Sequence, residues 1–125
     1  MERKFTQKAV TEFIKNNYLE AMKYYALALD YKEFQGKIEE SKILFNIGVC
    51  CIKTKAFQDA INYFNRSMEK HRNYGALFNK GCVYLMLNNY KKSLVTFYEA
   101  STINDSDNDL NKIIKELEKD LLRER

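Results

Sequence analysis

Residues Leu77 to Ser101 read "LFNKGCVYLMLNNYKKSLVTFYEAS", two apolar runs separated by the polar pair Asn88–Asn89. In the second run Tyr90, Ser93, Phe97 and Ala100 recur at spacings of three, four and three. Those spacings place an aromatic, a small, an aromatic and a small side chain on one helical face. Gly81 lies twelve residues before Ser93. A glycine inside a helix costs ~1 kcal/mol relative to alanine, so its presence implies a close backbone approach by a second helix. The same layout recurs upstream in "LFNIGVCC" and "FQDAINYFNRSM", with Gly48 twelve before Ala60 and the set Phe57, Ala60, Phe64 and Ser67. A third copy is "YLEAMKYYALAL", with Tyr18, Ala21, Tyr25 and Ala28, and with Ala9 at the glycine position. The interval is 39 residues from Ala21 to Ala60 and 33 from Ala60 to Ser93. The longer interval is taken up near "KEFQGKIEES", where Gly36 suits a turn.

Composition agrees with an all-helical chain. None of the 125 residues is proline, and Lys, Glu, Leu, Ala and Ile are abundant. The length fits one domain spanning 1–125, and a chain of this size buries roughly 65% of its unfolded surface without needing staples. Twenty-one Lys and Arg against seventeen Asp and Glu give +4, with the signs interspersed. No block of like charge marks a nucleic-acid tail, so no nucleic-acid partner is expected. Cys50, Cys51 and Cys82 are an odd count in apolar surroundings with no CxxC spacing, which points to buried reduced thiols. The start "MERKFTQKAV" lacks the apolar run of a signal peptide, and no later run approaches ~18 apolar residues. The expectation is a cytoplasmic protein with no membrane partner.

The segment "DSDNDLNKIIKE", Asp105 to Glu116, has the outline of a calcium-binding loop. Such a loop needs glycine at its sixth place and an apolar residue two later, and here those places hold Leu110 and Lys112. Leu110, Ile113, Ile114, Leu117 and Leu121 instead recur at helical spacing after the N-cap candidates Asp105, Ser106 and Asp107. A capping helix over 106–125 follows, apolar on one side and charged on the other.

Signs of chemistry are absent. His71 is the single histidine, beside Lys70 and Arg72, with no carboxylate, cysteine or serine placed for a relay. No GxGxxG, P-loop or HExxH motif occurs. No catalytic residues, metal site or cofactor are therefore expected, and the chain reads as a non-enzyme.

Units of about 34 residues, with glycine on the first helix and aromatic-small-aromatic on the second, resemble the tetratricopeptide repeat. The resemblance covers three units at approximately 5–35, 41–71 and 74–104. It departs from the family pattern at Glu12, where an aromatic is usual, and at Arg72 and Asp105, where a closing proline is common. It implies an all-α fold: three helix-turn-helix units stacked as a right-handed α-solenoid, plus the capping helix. It also implies a concave groove lined by the first helix of each pair. The groove residues would be Phe13, with Thr6, Val10 and Ile14, from the first unit. The second would supply Lys42, Phe45, Asn46, Val49 and Lys53, and the third Gly75, Phe78, Asn79, Cys82, Leu85 and Met86, with Asn46 and Asn79 able to pair with a peptide backbone.

Two subfamilies are similar in part. The layout resembles the co-chaperone domains that clamp a terminal carboxylate. That clamp uses a lysine and an asparagine on the first helix, an asparagine on the third, and a lysine and an arginine on the fifth. Those places hold Thr6, Val10, Asn46, Gly75 and Asn79 here, with Asn46 alone matching, so the clamp is not expected. "SKILFNIG" with "FNRSM" is similar to the neutrophil cytosol factor domain, the NADPH oxidase activator that binds a Rac-class GTPase, and Ser41 matches one of its contacts. The functional expectation is an adaptor that binds a peptide or helix of a protein partner in its concave groove. The alternatives are a Rho/Rac-type small-GTPase effector and a permanently assembled subunit of a larger complex.

Overall fold

The structure is a computed structural model, and it describes residues 2–123. Seven helices and their connecting turns account for the regular structure, and there is no strand among the described residues. They are α1 (Lys4–Ile14), α2 (Tyr18–Asp30), α3 (Gly36–Lys53), α4 (Phe57–Lys70), α5 (Tyr74–Met86), α6 (Tyr90–Ile103) and α7 (Asn108–Arg123). The chain forms two compact units, the first ending at Arg72 and the second starting at Asn73.

In the first unit α1 packs on α2, α2 on α3, and α3 on α4. Gly48 sits against the ring of Phe64: a Cβ at Gly48 would lie 2.6 Å from Phe64 Cε1. Phe64 and the small residues Ala60 and Ser67 on the same face are all 0% exposed. In the first pair Ala9 faces inward, wholly buried, as do Ala21 and Ala28. Ser41 and Ser67 close the α3–α4 contact by reciprocal bonds, Ser41 Oγ donating to Ser67 O at 2.8 Å and Ser67 Oγ to Ser41 O at 2.9 Å. Small hydroxyls at this crossing let the helices approach while satisfying each other.

The long interval is absorbed by α3, which begins five residues earlier relative to its glycine than α5 does. Gly36 opens it at φ +79°, a left-handed conformation that suits glycine. The connection before it holds a feature the periodicity does not announce. Glu33 is 5% exposed, and its carboxylate accepts from the Phe5 and Thr6 backbone N–H groups (3.0 and 2.9 Å) and from the Thr6 hydroxyl (3.1 Å). It thereby caps the start of α1 across the pair. Burial opposes its charge, but the three donors and the Arg3 guanidinium outweigh burial and hold the carboxyl below its ordinary value. Arg3 also pairs with Glu39 at 2.8 Å.

The turns inside the pairs follow one plan. The residue after each C-cap is left-handed, Asn16 (φ 65°), Lys55 (62°) and Asn88 (58°). The bonds Asn17 N to Glu12 O, Ala56 N to Cys51 O and Asn89 N to Tyr84 O close Schellman motifs. Where the family pattern has a closing proline, α4 and α6 instead stop because His71 (φ −159°) and Asn104 (φ −144°) are extended.

In the second unit α5 packs on α6, and α6 on α7. Gly81 repeats the Gly48 contact, with a Cβ there falling 2.5 Å from Phe97 Cε1. Ser93 Oγ donates to Gly81 O at 2.8 Å. The acidic segment is a helix start: Asp107 Oδ1 accepts from Asp109 N (2.9 Å) and Leu110 N (3.3 Å). Its other oxygen takes the Tyr74 hydroxyl at 2.5 Å. That hydroxyl and those N–H groups hold the Asp107 carboxyl below its usual range. Leu110, Ile114 and Leu117 are buried as the helical reading requires. Ile114 occupies the place, 33 residues on, that glycine holds at 48 and 81. A bulky side chain there blocks the close approach of another second helix to α7.

Gly81→Ala should destabilise the protein by about 1–3 kcal/mol in urea unfolding, through overpacking against Phe97. Combined with Phe97→Leu, the two losses should sum to less than their separate values; strictly additive losses would show that the ring is not what Gly81 accommodates. Glu33→Gln should cost about 1–2 kcal/mol at pH 7. A carboxyl depressed in the folded state stabilises above its free value near ~4.3, and loses that contribution as pH falls through the folded value. Wild type and variant should therefore converge in acid; a gap equal at pH 7 and pH 3 would count against the charged cap.

Candidate functional site

The residues expected to face a groove form two equivalent stripes. On α3, in the first unit, Phe45, Asn46, Val49 and Lys53 follow at one-, three- and four-residue steps. On α5, in the second unit, Phe78, Asn79, Cys82 and Met86 repeat those steps. In both stripes the first three residues are half-buried and the last is exposed. Each phenylalanine leans on the core aromatic of its own pair, Phe45 on Phe64 and Phe78 on Phe97, both at 5.7 Å between centroids. The inner edge of each stripe is thus anchored while the outer edge meets solvent.

The asparagines differ in detail. Asn46 hydrogen-bonds the buried hydroxyl of Tyr25, and burial with the neighbouring Cys50 still leaves that phenol above its ordinary pKa. Asn79 donates its Nδ2 to Gly75 O within α5 at 2.9 Å. An amide so held keeps a further donor and lone pairs for another chain. Phe13 stands apart from these stripes. It is half-buried, packed edge-on against Tyr18 at 5.4 Å, and the large apolar residues exposed along α1 are Val10 and Ile14, 43% and 74%.

The cysteines are held protonated. Burial, with the adjacent Cys51, pushes the Cys50 thiol up to about 11, and burial, with Asp59, does the same for Cys51. Burial also raises Cys82. None forms a disulfide, and Cys51 Sγ lies 3.6 Å from Met22 Sδ. A thiol so raised is a poor nucleophile at neutral pH. No group of three or more His, Cys, Asp or Glu among the described residues could hold a metal. No helix among them is long and apolar enough to cross a membrane.

Ser41, which matched a GTPase contact in sequence, is 2% exposed. Its hydroxyl is engaged with Ser67 inside the α3–α4 crossing, so it presents nothing to a partner. Between α6 and α7 only residues 104–107 intervene, which leaves no hairpin insertion there.

Paired helices with small-on-aromatic contacts and half-buried stripes on α3 and α5 define a helical-repeat protein. The chain matches the tetratricopeptide-repeat family over its third helix pair. The family's own model matches residues 74–107, described as a tetratricopeptide repeat. The human intraflagellar transport protein 88 homolog is 32% identical over 87 residues, which are 70% of this chain and 11% of that protein. The chain therefore spans about a tenth of that relative's length. A tetratricopeptide repeat protein from Parabacteroides merdae superposes with a TM-score of 0.86 at 17% identity, covering 95% of this chain and 46% of the other. The Arabidopsis OM64 TPR domain gives 0.79 at 17% identity, with 92% of each chain covered. The first TPR of Spaghetti (RPAP3), solved with the HSP90 peptide SRMEEVD, gives 0.81 at 14% identity, covering 94% and 90%. At such identities these structures establish the fold, which resembles TPR solenoids.

Proposed function

We propose that this chain is a non-enzymatic adaptor that holds an extended or helical segment of a protein partner against the first helices of its pairs. The observation carrying the reading is the recurrence of one stripe. Phe45, Asn46, Val49 and Lys53 on α3 have counterparts of matching burial in Phe78, Asn79, Cys82 and Met86 on α5. Half-exposed apolar side chains beside amides suit contact with a peptide's side chains and backbone together. Spaghetti (RPAP3), which shares the fold, is described with a bound peptide, in support of a peptide as ligand. A terminal carboxylate is a poor candidate, because the fifth-helix places that carry a lysine and an arginine in the carboxylate clamp hold Gly75 and Asn79 here. Nothing supports the small-GTPase alternative.

Lys53→Glu and Met86→Glu test the reading, since both side chains are exposed and neither should lower thermal stability. A partner recovered by affinity purification should bind the double variant about tenfold or more weakly, equivalent to ~1.4 kcal/mol. Unchanged affinity would remove these stripes from consideration.

A second reading is a subunit built permanently into a larger assembly. It is favoured by the similarity to the human intraflagellar transport protein and to the Cut9-Hcn1 hetero-tetramer structure, which superposes at a TM-score of 0.82. An obligate subunit should aggregate or self-associate when isolated. A stable, cooperatively unfolding monomer in size-exclusion with light scattering would speak against it.

A further inference from the structure

We propose that the α5–α6 edge of the second unit docks an acidic segment of a protein partner, one carrying an aliphatic or aromatic side chain among its carboxylates. The surface is distinct from the stripe on α5: Lys80 and Tyr84 project from the side of the helix opposite Phe78 and Cys82. A depression of about 290 Å³ opens there, with Lys80, Tyr84, Lys91, Lys92 and Val95 in its lining and Glu99 as its single anion.

Three features give it the chemistry of an anion site with an oily floor. Tyr84 is half-buried and Val95 is 58% exposed, so apolar surface lies between the cations. Lys92 Nζ stands 5.9 Å over the Tyr84 ring, which orients one ammonium along the depression. The ion pairs among the described residues, Arg3–Glu39 and Lys70–Glu40, leave Lys80, Lys91 and Lys92 without a carboxylate.

The earlier repeats fold without a cation at the place of Lys92. Two residues after its opening aromatic, the second helix carries Glu20 in α2 and Asp59 in α4, each in the first turn. The equivalent residue of α6 is Lys92, next to Lys91, and no acid lies in that turn. Cations at a helix start oppose the helix dipole and each other, so the substitution works against α6 in isolation. An anionic partner reverses that penalty. Three cations in a small depression are few for nucleic acid, where roughly six to ten phosphate contacts carry affinity. Carboxylates flanking one apolar side chain match both the charge and the floor.

The test uses the whole chain and a short synthetic peptide of glutamates with leucine at every third place, followed by fluorescence anisotropy. The expected result is saturable binding that is lost in ~1 M salt, where the Debye length is about 3 Å. Lys80→Glu and Lys91→Glu/Lys92→Glu should each weaken it about tenfold or more. Lys91→Gln/Lys92→Gln should weaken it less, and Met86→Glu should leave it unchanged, which separates this surface from the stripe. Lys91→Glu/Lys92→Glu should keep or slightly raise the melting temperature, so lost binding is not lost folding. Three results would overturn the proposal: no binding by wild type, binding indifferent to the charge reversals, or tighter binding to short duplex DNA or to phosphatidylserine vesicles.

Discussion

The contact on which this architecture depends is a phenylalanine ring laid on a glycine. Phe64 covers Gly48 and Phe97 covers Gly81, so closely that a methyl group at either glycine would overlap the ring. Glycine in a helix interior costs ~1 kcal/mol. A wholly buried phenylalanine offsets this several-fold, since truncating such a ring costs ~3–5 kcal/mol. The remaining small residues follow from the same geometry. Ala60 and Ser93 sit one turn before those rings and Ser67 and Ala100 one turn after, and all are 0% exposed. The first pair solves the problem differently, with Ala9 in place of glycine and the Tyr25 hydroxyl bonded to Asn46.

Carboxylates tie the helix ends. Glu33 and Asp107 each accept from first-turn N–H groups, of α1 and α7 respectively, and each is engaged by a group distant in the chain. Both charges sit where the helix dipole favours them, and both are held below the usual carboxyl range. They fix where α1 and α7 begin. Residues of the long interval between the first two pairs are thus structural: Glu33 caps α1 and Glu39 pairs with Arg3.

Helix α5 presents different chemistry on its two sides. Phe78, Asn79, Cys82 and Met86 form an apolar and amide stripe, whereas Lys80 and Tyr84 join the lysines of α6 in a basic depression. A repeat that needs a single core face leaves the rest of its helices free to vary. Lys92 shows that variation, standing where the earlier pairs carry an acid.

The helices, their pairing and the close approaches at Gly48 and Gly81 were legible in the residue order. So was the last helix, expected over 106–125 and found over Asn108–Arg123 with 124–125 outside the described residues, because Leu110, Ile114 and Leu117 make sense on one helical face and in no calcium loop. These features repeat at three or four residues, the reach of helical geometry, and a linear string records them directly. The polar partnerships were not legible. Glu33 meets Phe5 and Thr6 at separations of 28 and 27 residues, Tyr74 meets Asp107 at 33, and Ser41 meets Ser67 at 26. Nor did the string show that Phe13 packs on Tyr18, or that Lys80 and Tyr84 open onto the same depression as Lys91 and Lys92. Side chains of one chemistry have many eligible partners along a chain, and only folding brings one of them within ~3 Å.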